Sequence, residues 1–192
     1  MQTKSIVICG VGGQGILLAS DILADVCLES GYDVKKSEVH GMSQRGGDVI
    51  STVRYGEKVY SPIIGENSAD IILALEKLEA LRNLPYLKSD GKLIVNDYRW
   101  DPLPVASGLD SYPENIIEVL KSNVKDVHIV NGAKMAKEAG NLRTMNVVLL
   151  GVLSLFLDFP KEIWIKVMEK RIPSKYLEMN LVAFEKGRNL KI

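Results

Sequence analysis

Apolar residues recur along the chain with two different periods, and the alternation between them predicts the fold. "KSIVIC", residues 4–9, is a short apolar run ending at Gly10, and from Ile16 to Ser30 the residues Ile16, Ala19, Leu23, Val26 and Cys27 share one helical face. Together they predict strand, tight turn and helix. "YDVKKSEVHG" follows as a second strand, and "GMSQRGG" as a glycine-bounded loop. The alternating "DVISTVRY", the turn "GE" and the run "KVYSPII" predict a β-hairpin over residues 48–64.

"ADIILAL" reads as a continuous apolar strand, "EKLEALRNLPYL" as a helix cut by Pro85, and "SDGKLIVND" as a turn leading into another buried strand. "DYRWDPLPVASGLDSYP" reads as an ordered excursion. Residues 114–123 form a predicted helix, "DVHIV" a last strand, and "NGAKMAKEAG" a helix starting at Asn131. From Leu142 onward no strand pattern remains, and helices are expected over about 142–157, 160–171 and 174–189, the latter two led by Pro160 and Pro173. Strands alternating with helices predict an α/β fold: a Rossmann-like, mostly parallel sheet with helices on both faces, a β-hairpin insertion and a C-terminal helical cap. A single domain over 1–192 is expected, with an α/β core at 1–140 and C-terminal helices at 141–192.

Composition narrows the function classes. Lysine plus arginine equals aspartate plus glutamate at 24 each, so no net field draws the chain to nucleic acid or an anionic membrane. "MQTKSIVICG" is too short an apolar run for a signal peptide, which leads us to expect an intracellular, cytoplasmic protein. Val147–Leu157, in "NVVLLGVLSLFLD", is about half the roughly 20 residues a membrane span needs. It reads as a buried helix, or as one that packs on a partner subunit. With only Cys9 and Cys27, eighteen residues apart, the chain lacks the ligands for a zinc site or an iron–sulfur cluster of its own, and no metal site is expected.

The glycine loop Gly10-x-Gly12-x-x-Gly15 lies between a predicted strand and a predicted helix. Gly10 permits the tight turn, Gly12 and Gly13 let the backbone approach an anion, and Gly15 lets the helix pack on the sheet. The unpaired N–H groups of the helix's first turn would point at the ligand. A nicotinamide cofactor needs in addition an acidic residue at the end of the second strand, and Glu38 is 23 residues beyond Gly15. A hairpin follows Glu38 where a helix and a third parallel strand belong. NAD(P) or FAD, another anionic ligand and a purely structural turn all stay open on this motif.

"HGMSQRGG" places His40, Ser43, Gln44 and Arg45 among glycines, with Gly46 closing the loop, and offers hydroxyl, amide and guanidinium donors to a carboxylate or phosphate. An internal salt bridge of Arg45 is the plainer reading. Taken together, Gly10–Leu17, "SEVHGMSQRGGDVISTVR" and "NLRTMNVVLLGVL" resemble the gamma subunit or gamma domain of the 2-oxoacid:ferredoxin oxidoreductases, and within them the indolepyruvate branch.

That resemblance implies a subunit of an enzyme that decarboxylates an aryl-pyruvate such as indolepyruvate, passes two electrons to ferredoxin and yields an acyl-CoA. Thiamine diphosphate, magnesium and 4Fe–4S clusters are then expected on a larger partner subunit, in a hetero-oligomer that ferredoxin meets. This chain is expected to bind no cofactor tightly and to be inactive alone. Gly10, Gly12, Gly13, Gln14, Gly15, Ser43, Gln44, Arg45 and Gly46 are assigned either to coenzyme A or to the subunit interface. The alternatives are a stand-alone NAD(P)-dependent oxidoreductase and a ligand-binding regulatory module. His40 reads as a loop histidine rather than a general base, His128 as structural, Cys9 as a small apolar residue, and Trp100 and Trp164 as core or partner contacts. Arg143 and Asn146 are read as capping, interface or ligand contacts.

Overall fold

The computed structural model of the protein describes residues 3–41 and 46–191. Strand β1 (Lys4–Val11) runs into helix α1 (Ile16–Glu29), followed by β2 (Asp33–His40) and β3 (Asp48–Gly56). Then come β4 (Ala69–Ala74), α2 (Lys77–Asn83), β5 (Leu87–Asn96), the short α3 (Leu103–Ala106), α4 (Ile116–Asn123), β6 (Asp126–Val130) and α5 (Gly132–Glu138). Helices α6 (Met145–Leu153), α7 (Lys161–Arg171) and α8 (Ser174–Arg188) close the order. The predicted break at Pro85 is a 3₁₀ turn at Leu84–Tyr86, directly after α2.

The strands form one six-stranded sheet in the order β2-β3-β1-β4-β5-β6. β1, β4, β5 and β6 are parallel, whereas β3 lies antiparallel between β1 and β2. β1 is apolar without alternation because both of its faces are covered. Ile6 and Ile8 point to the layer of α1 and α6, and Val7 and Cys9 to the layer of α2 and α4.

The hairpin is present, but its strands are β2 and β3, joined across residues 41–47. "KVYSPII" forms no strand. Both edges of β3 are taken by β1 and β2, so the chain after Gly56 has no edge to join and crosses the sheet face as irregular structure. Side chains hold it there: Thr52 Oγ1 donates to the Pro62 carbonyl at 2.9 Å, Arg54 Nη1 to the Ser61 carbonyl at 2.9 Å, and Asp33 Oδ2 accepts from Val59 N at 2.9 Å.

The apolar run at 145–153 is α6, buried along its whole length. It fits because α8 crosses it at glycines: a Cβ on Gly187 would lie 2.0 Å from the Val148 carbonyl oxygen, and one on Gly151 would lie 2.2 Å from that of Phe184. Trp164 of α7 is fully buried beside Phe184, with ring centroids 5.6 Å apart. Among the described residues no helix is long and apolar enough to cross a membrane.

Candidate functional site at the carboxyl edge of the sheet

Because β1, β4, β5 and β6 are parallel, Val11, Ala74, Asn96 and Val130 all end at one edge of the sheet, where α1, α2 and α5 begin. The strand after β1 in sequence lies to one side of it and β4 lies to the other. Ligand sites of α/β sheets form at such a switch in strand order, and the glycine loop sits there.

The loop is shaped by backbone geometry and by one side chain. Gly13 and Gly15 adopt φ of +104° and +80°, a region that side-chain-bearing residues avoid. Gln14 is buried, and both ends of its amide are used within the chain: Oε1 accepts from Val11 N at 2.7 Å, and Nε2 donates to the Leu75 carbonyl at 3.1 Å. Gln14 therefore clamps the turn to the end of β4.

Two further amides complete the edge. Asn96 Nδ2 also donates to the Leu75 carbonyl, at 3.0 Å, while its Oδ1 accepts from Gly132 N at 3.0 Å and ties β5 to the start of α5. Asn146 Nδ2 donates to the Gly15 carbonyl at 3.1 Å and so joins α6 to the loop. Asn146, a candidate for capping, interface or ligand contact on its sequence, uses its amide as a bridge from the helical cap to the glycine loop.

The two glycine loops meet. Gly12 N donates to the Gly47 carbonyl at 2.8 Å, and Gly46 N lies 3.5 Å from the Gly12 carbonyl. Ser43, Gln44 and Arg45 lie outside the described residues. His40 is exposed, with Nε2 3.7 Å from Glu38 Oε2. Glu38 itself pairs with Lys36. With strands about 4.8 Å apart and β3 inserted, Glu38 is a whole strand farther from β1 than a ribose-holding carboxylate would be.

α1 starts at Gly15 with no side-chain cap and no acidic residue in its first turn, so the positive end of its dipole stays uncompensated. Beside it opens a pocket of about 560 Å³. Its walls bring together Gly13, Leu18, Tyr98, Trp100, Arg143 and Tyr176. The Arg143 guanidinium is exposed and makes no ion pair among the described residues. Tyr98, and Tyr176 and Met179 of α8, which also line the pocket, were not anticipated, since they lie far along the chain from the glycine loop.

The excursion at 97–113 reaches the pocket because Glu76 holds it. This buried carboxylate caps α2 by accepting from Glu79 N at 2.9 Å, and its other oxygen accepts from Trp100 N at 3.3 Å and from the Tyr112 hydroxyl. Burial, and then the bond to Glu76, push the Tyr112 hydroxyl pKa up. Burial also raises Glu79, with Arg82 opposing and Glu76 and Asp48 adding. Cys9 sits beneath this cluster, its thiol pushed well up by burial and then by Glu79 and Glu76, in keeping with an inert packing role. His128 bonds Asp126 at 2.7 Å and packs on Phe156, a structural position. Among the described residues, His, Cys, Asp and Glu nowhere gather in a group of three that could hold a metal ion.

A family model described as pyruvate ferredoxin/flavodoxin oxidoreductase matches residues 5–190. The indolepyruvate oxidoreductase subunit IorB of Thermococcus kodakarensis is 44% identical over 194 residues, spanning 97% of this chain and 95% of that protein. Among solved structures, the gamma subunit of a keto/oxoacid ferredoxin oxidoreductase from Geobacter sulfurreducens has a TM-score of 0.71 at 25% identity, with 96% of this chain and 95% of that chain covered. A 2-oxoglutarate:ferredoxin oxidoreductase from Magnetococcus marinus, solved with 2-oxoglutarate, coenzyme A and succinyl-CoA bound, shares the fold at a TM-score of 0.75 and 23% identity, over 98% of this chain and 31% of that one.

Proposed function

The chain belongs to the pyruvate ferredoxin/flavodoxin oxidoreductase family, and from that premise we propose that it is the small subunit of a 2-oxoacid:ferredoxin oxidoreductase acting on indolepyruvate or a related aryl-pyruvate. The reaction releases the carboxyl group as carbon dioxide, passes two electrons to ferredoxin and leaves the acyl group on coenzyme A. Thiamine diphosphate, magnesium and the iron–sulfur clusters belong, in this reading, to the larger subunit. Cys9 and Cys27 are buried in the two opposite layers of the core, a placement that does not suit a cluster on this chain.

The role of this chain is to complete the assembly and to hold coenzyme A at the two glycine loops. One observation carries that assignment: the uncapped start of α1 and Arg143, which makes no ion pair among the described residues, line the same pocket of about 560 Å³, beside the place where Gly12 meets Gly47. An anion is favoured at such a helix start, and the apolar walls suit the uncharged parts of a large cofactor. The Magnetococcus enzyme, solved with coenzyme A, supports the choice of ligand at the level of a shared fold. Gly10, Gly12, Gly13, Gly15 and Gly46 shape this site, Gln14 braces it, and Ser43, Gln44 and Arg45 are assigned to it from sequence.

Co-expression with the larger subunit tests the reading. The two chains are expected to co-purify and to turn over indolepyruvate only together, with coenzyme A binding weakened about tenfold, or about 1.4 kcal/mol, by Arg143→Ala. Turnover by this chain alone with a nicotinamide cofactor, or failure to associate with the larger subunit, would overturn it.

A further inference from the structure

The sheet is covered unequally. α1 lies across β2 and β3 on one face, whereas on the other face α2 packs on β1, β4 and β5, and among the described residues no helix other than α1 packs extensively on β2 or β3. What lies there is the irregular stretch at 59–64. Between it and the strands runs a groove of about 200 Å³, lined by Val7, Val39, Ile50, Thr52, Ile63 and Tyr86. Val39 is 61% exposed and Ile63 is 72% exposed. An α/β sheet normally has both faces buried by helices, whereas here the stretch at 59–64 covers the strands only in part and leaves Val39 and Ile63 open, an apolar surface awaiting cover.

The charges along β2 do not guard this surface. Lys35 is paired with Asp33, and Lys36 with Asp21 and Glu38, so they are neutralised inside the chain. At its upper end the apolar strip stops at Val39, and the backbone runs on to Gly41, whose N–H donates to the Asp48 carbonyl at 2.9 Å beside the Gly47 carbonyl that accepts from Gly12. A chain laid on the strip therefore arrives at the glycine loops.

We infer that the groove on this partly covered face of β2 and β3 is where the larger oxidoreductase subunit docks, filling it with aliphatic or aromatic side chains and burying Val39 and Ile63. The inference rests on the reading of this chain as a subunit. The choice of occupant follows from two facts. The relative of which 95% is matched is itself named a subunit, and in the Magnetococcus enzyme the same fold makes up 31% of a longer chain. A second copy of this chain would satisfy the apolar match but would not account for a strip that leads onto the loops.

The test uses the full chain and the purified larger subunit, with binding followed by interferometry. Val39→Asp and Ile63→Asp are at exposed positions, and thermal melts of the free variants show whether they fold. The double variant is expected to lose affinity by about tenfold or more, while Leu28→Asp, at an exposed position of α1 across the sheet, binds as the parent does. A photo-crosslinking residue at position 63 is expected to capture the larger subunit, and this readout stands even if the aspartate variants fail to fold. Parent-like binding by the double variant, or crosslinks only to a second copy of this chain, overturn the inference and leave the subunit reading intact. Absence of binding by the parent chain overturns both.

Discussion

Replacing Gln14 separates a structural clamp from a ligand contact. In Gln14→Ala the buried Val11 N–H loses the acceptor it has at 2.7 Å, and the Leu75 carbonyl loses one of two donors, keeping Asn96 at 3.0 Å. An unsatisfied buried N–H costs about 1–3 kcal/mol, and a lost bond whose acceptor keeps another partner about 0.5–1.5 kcal/mol. The sum is roughly 1.5–4.5 kcal/mol, which for a chain of this size lowers Tm by roughly 3–18 °C. Gln14→Glu keeps the acceptor for Val11 but sets a carboxylate oxygen against the Leu75 carbonyl, so it should be no better than alanine near neutral pH and should recover part of the loss when protonated in mild acid. Thermal melts of the free chain at pH 7 and pH 5 read both effects. Coupling to Asn96→Ala, measured as a double-mutant cycle, should be non-zero because the two amides share one carbonyl. A Gln14→Ala variant that melts with the parent, and is impaired only in coenzyme A binding, would refute the clamp and return Gln14 to the ligand site.

Gly187→Ala places a methyl 2.0 Å from the Val148 carbonyl oxygen, and since both atoms belong to packed helices the pair must separate. A loss of about 1–3 kcal/mol is expected in urea unfolding, and an unchanged midpoint would mean that α6 and α8 do not cross this closely. Trp164 is buried with its indole N–H unbonded among the described residues. Trp164→Phe should therefore cost clearly less than the roughly 3–5 kcal/mol of Trp164→Ala, and equal costs in urea would contradict that account. Lys166 and Lys170 hydrogen-bond to Glu29 and hold its carboxyl down at about 2, below the usual 4.5. Because the folded-state value is depressed, this link between α1 and α7 is present above pH 4.5 and is lost as pH falls toward 2. The melting difference between Glu29→Gln and the parent should shrink across that window, and a difference that persists at pH 2 would assign the effect to something other than the ion pair.

Strand, turn and helix at the N-terminus were legible because their signal is local: an apolar run, a glycine turn and a helical stripe within thirty residues. The buried helix at 145–153 was legible for the same reason. The hairpin was displaced because local alternation says that residues 48–55 form a strand but not which strands flank it. β1, some forty residues earlier, pairs with β3 along all eight of its residues and leaves no edge for "KVYSPII". The insertion of β3 also decides the fate of Glu38, whose distance along the chain from Gly15 suits a ribose contact while its place in the sheet does not.

The amino-acid sequence by itself determined the alternation of elements, the glycine turn at the end of β1 and the family to which the chain belongs, since each rests on residues close together in the chain. Only the tertiary structure decided which polar groups line the candidate site and which are used within the chain. Both ends of the Gln14 amide are used within the chain once Leu75 is brought beneath it, and Arg143 becomes part of a pocket only when the turn before α6 meets the start of α1. Burial and hydrogen-bond partners are properties of segments that meet in space, so a side chain's task at such an edge is settled by neighbours the local pattern does not contain.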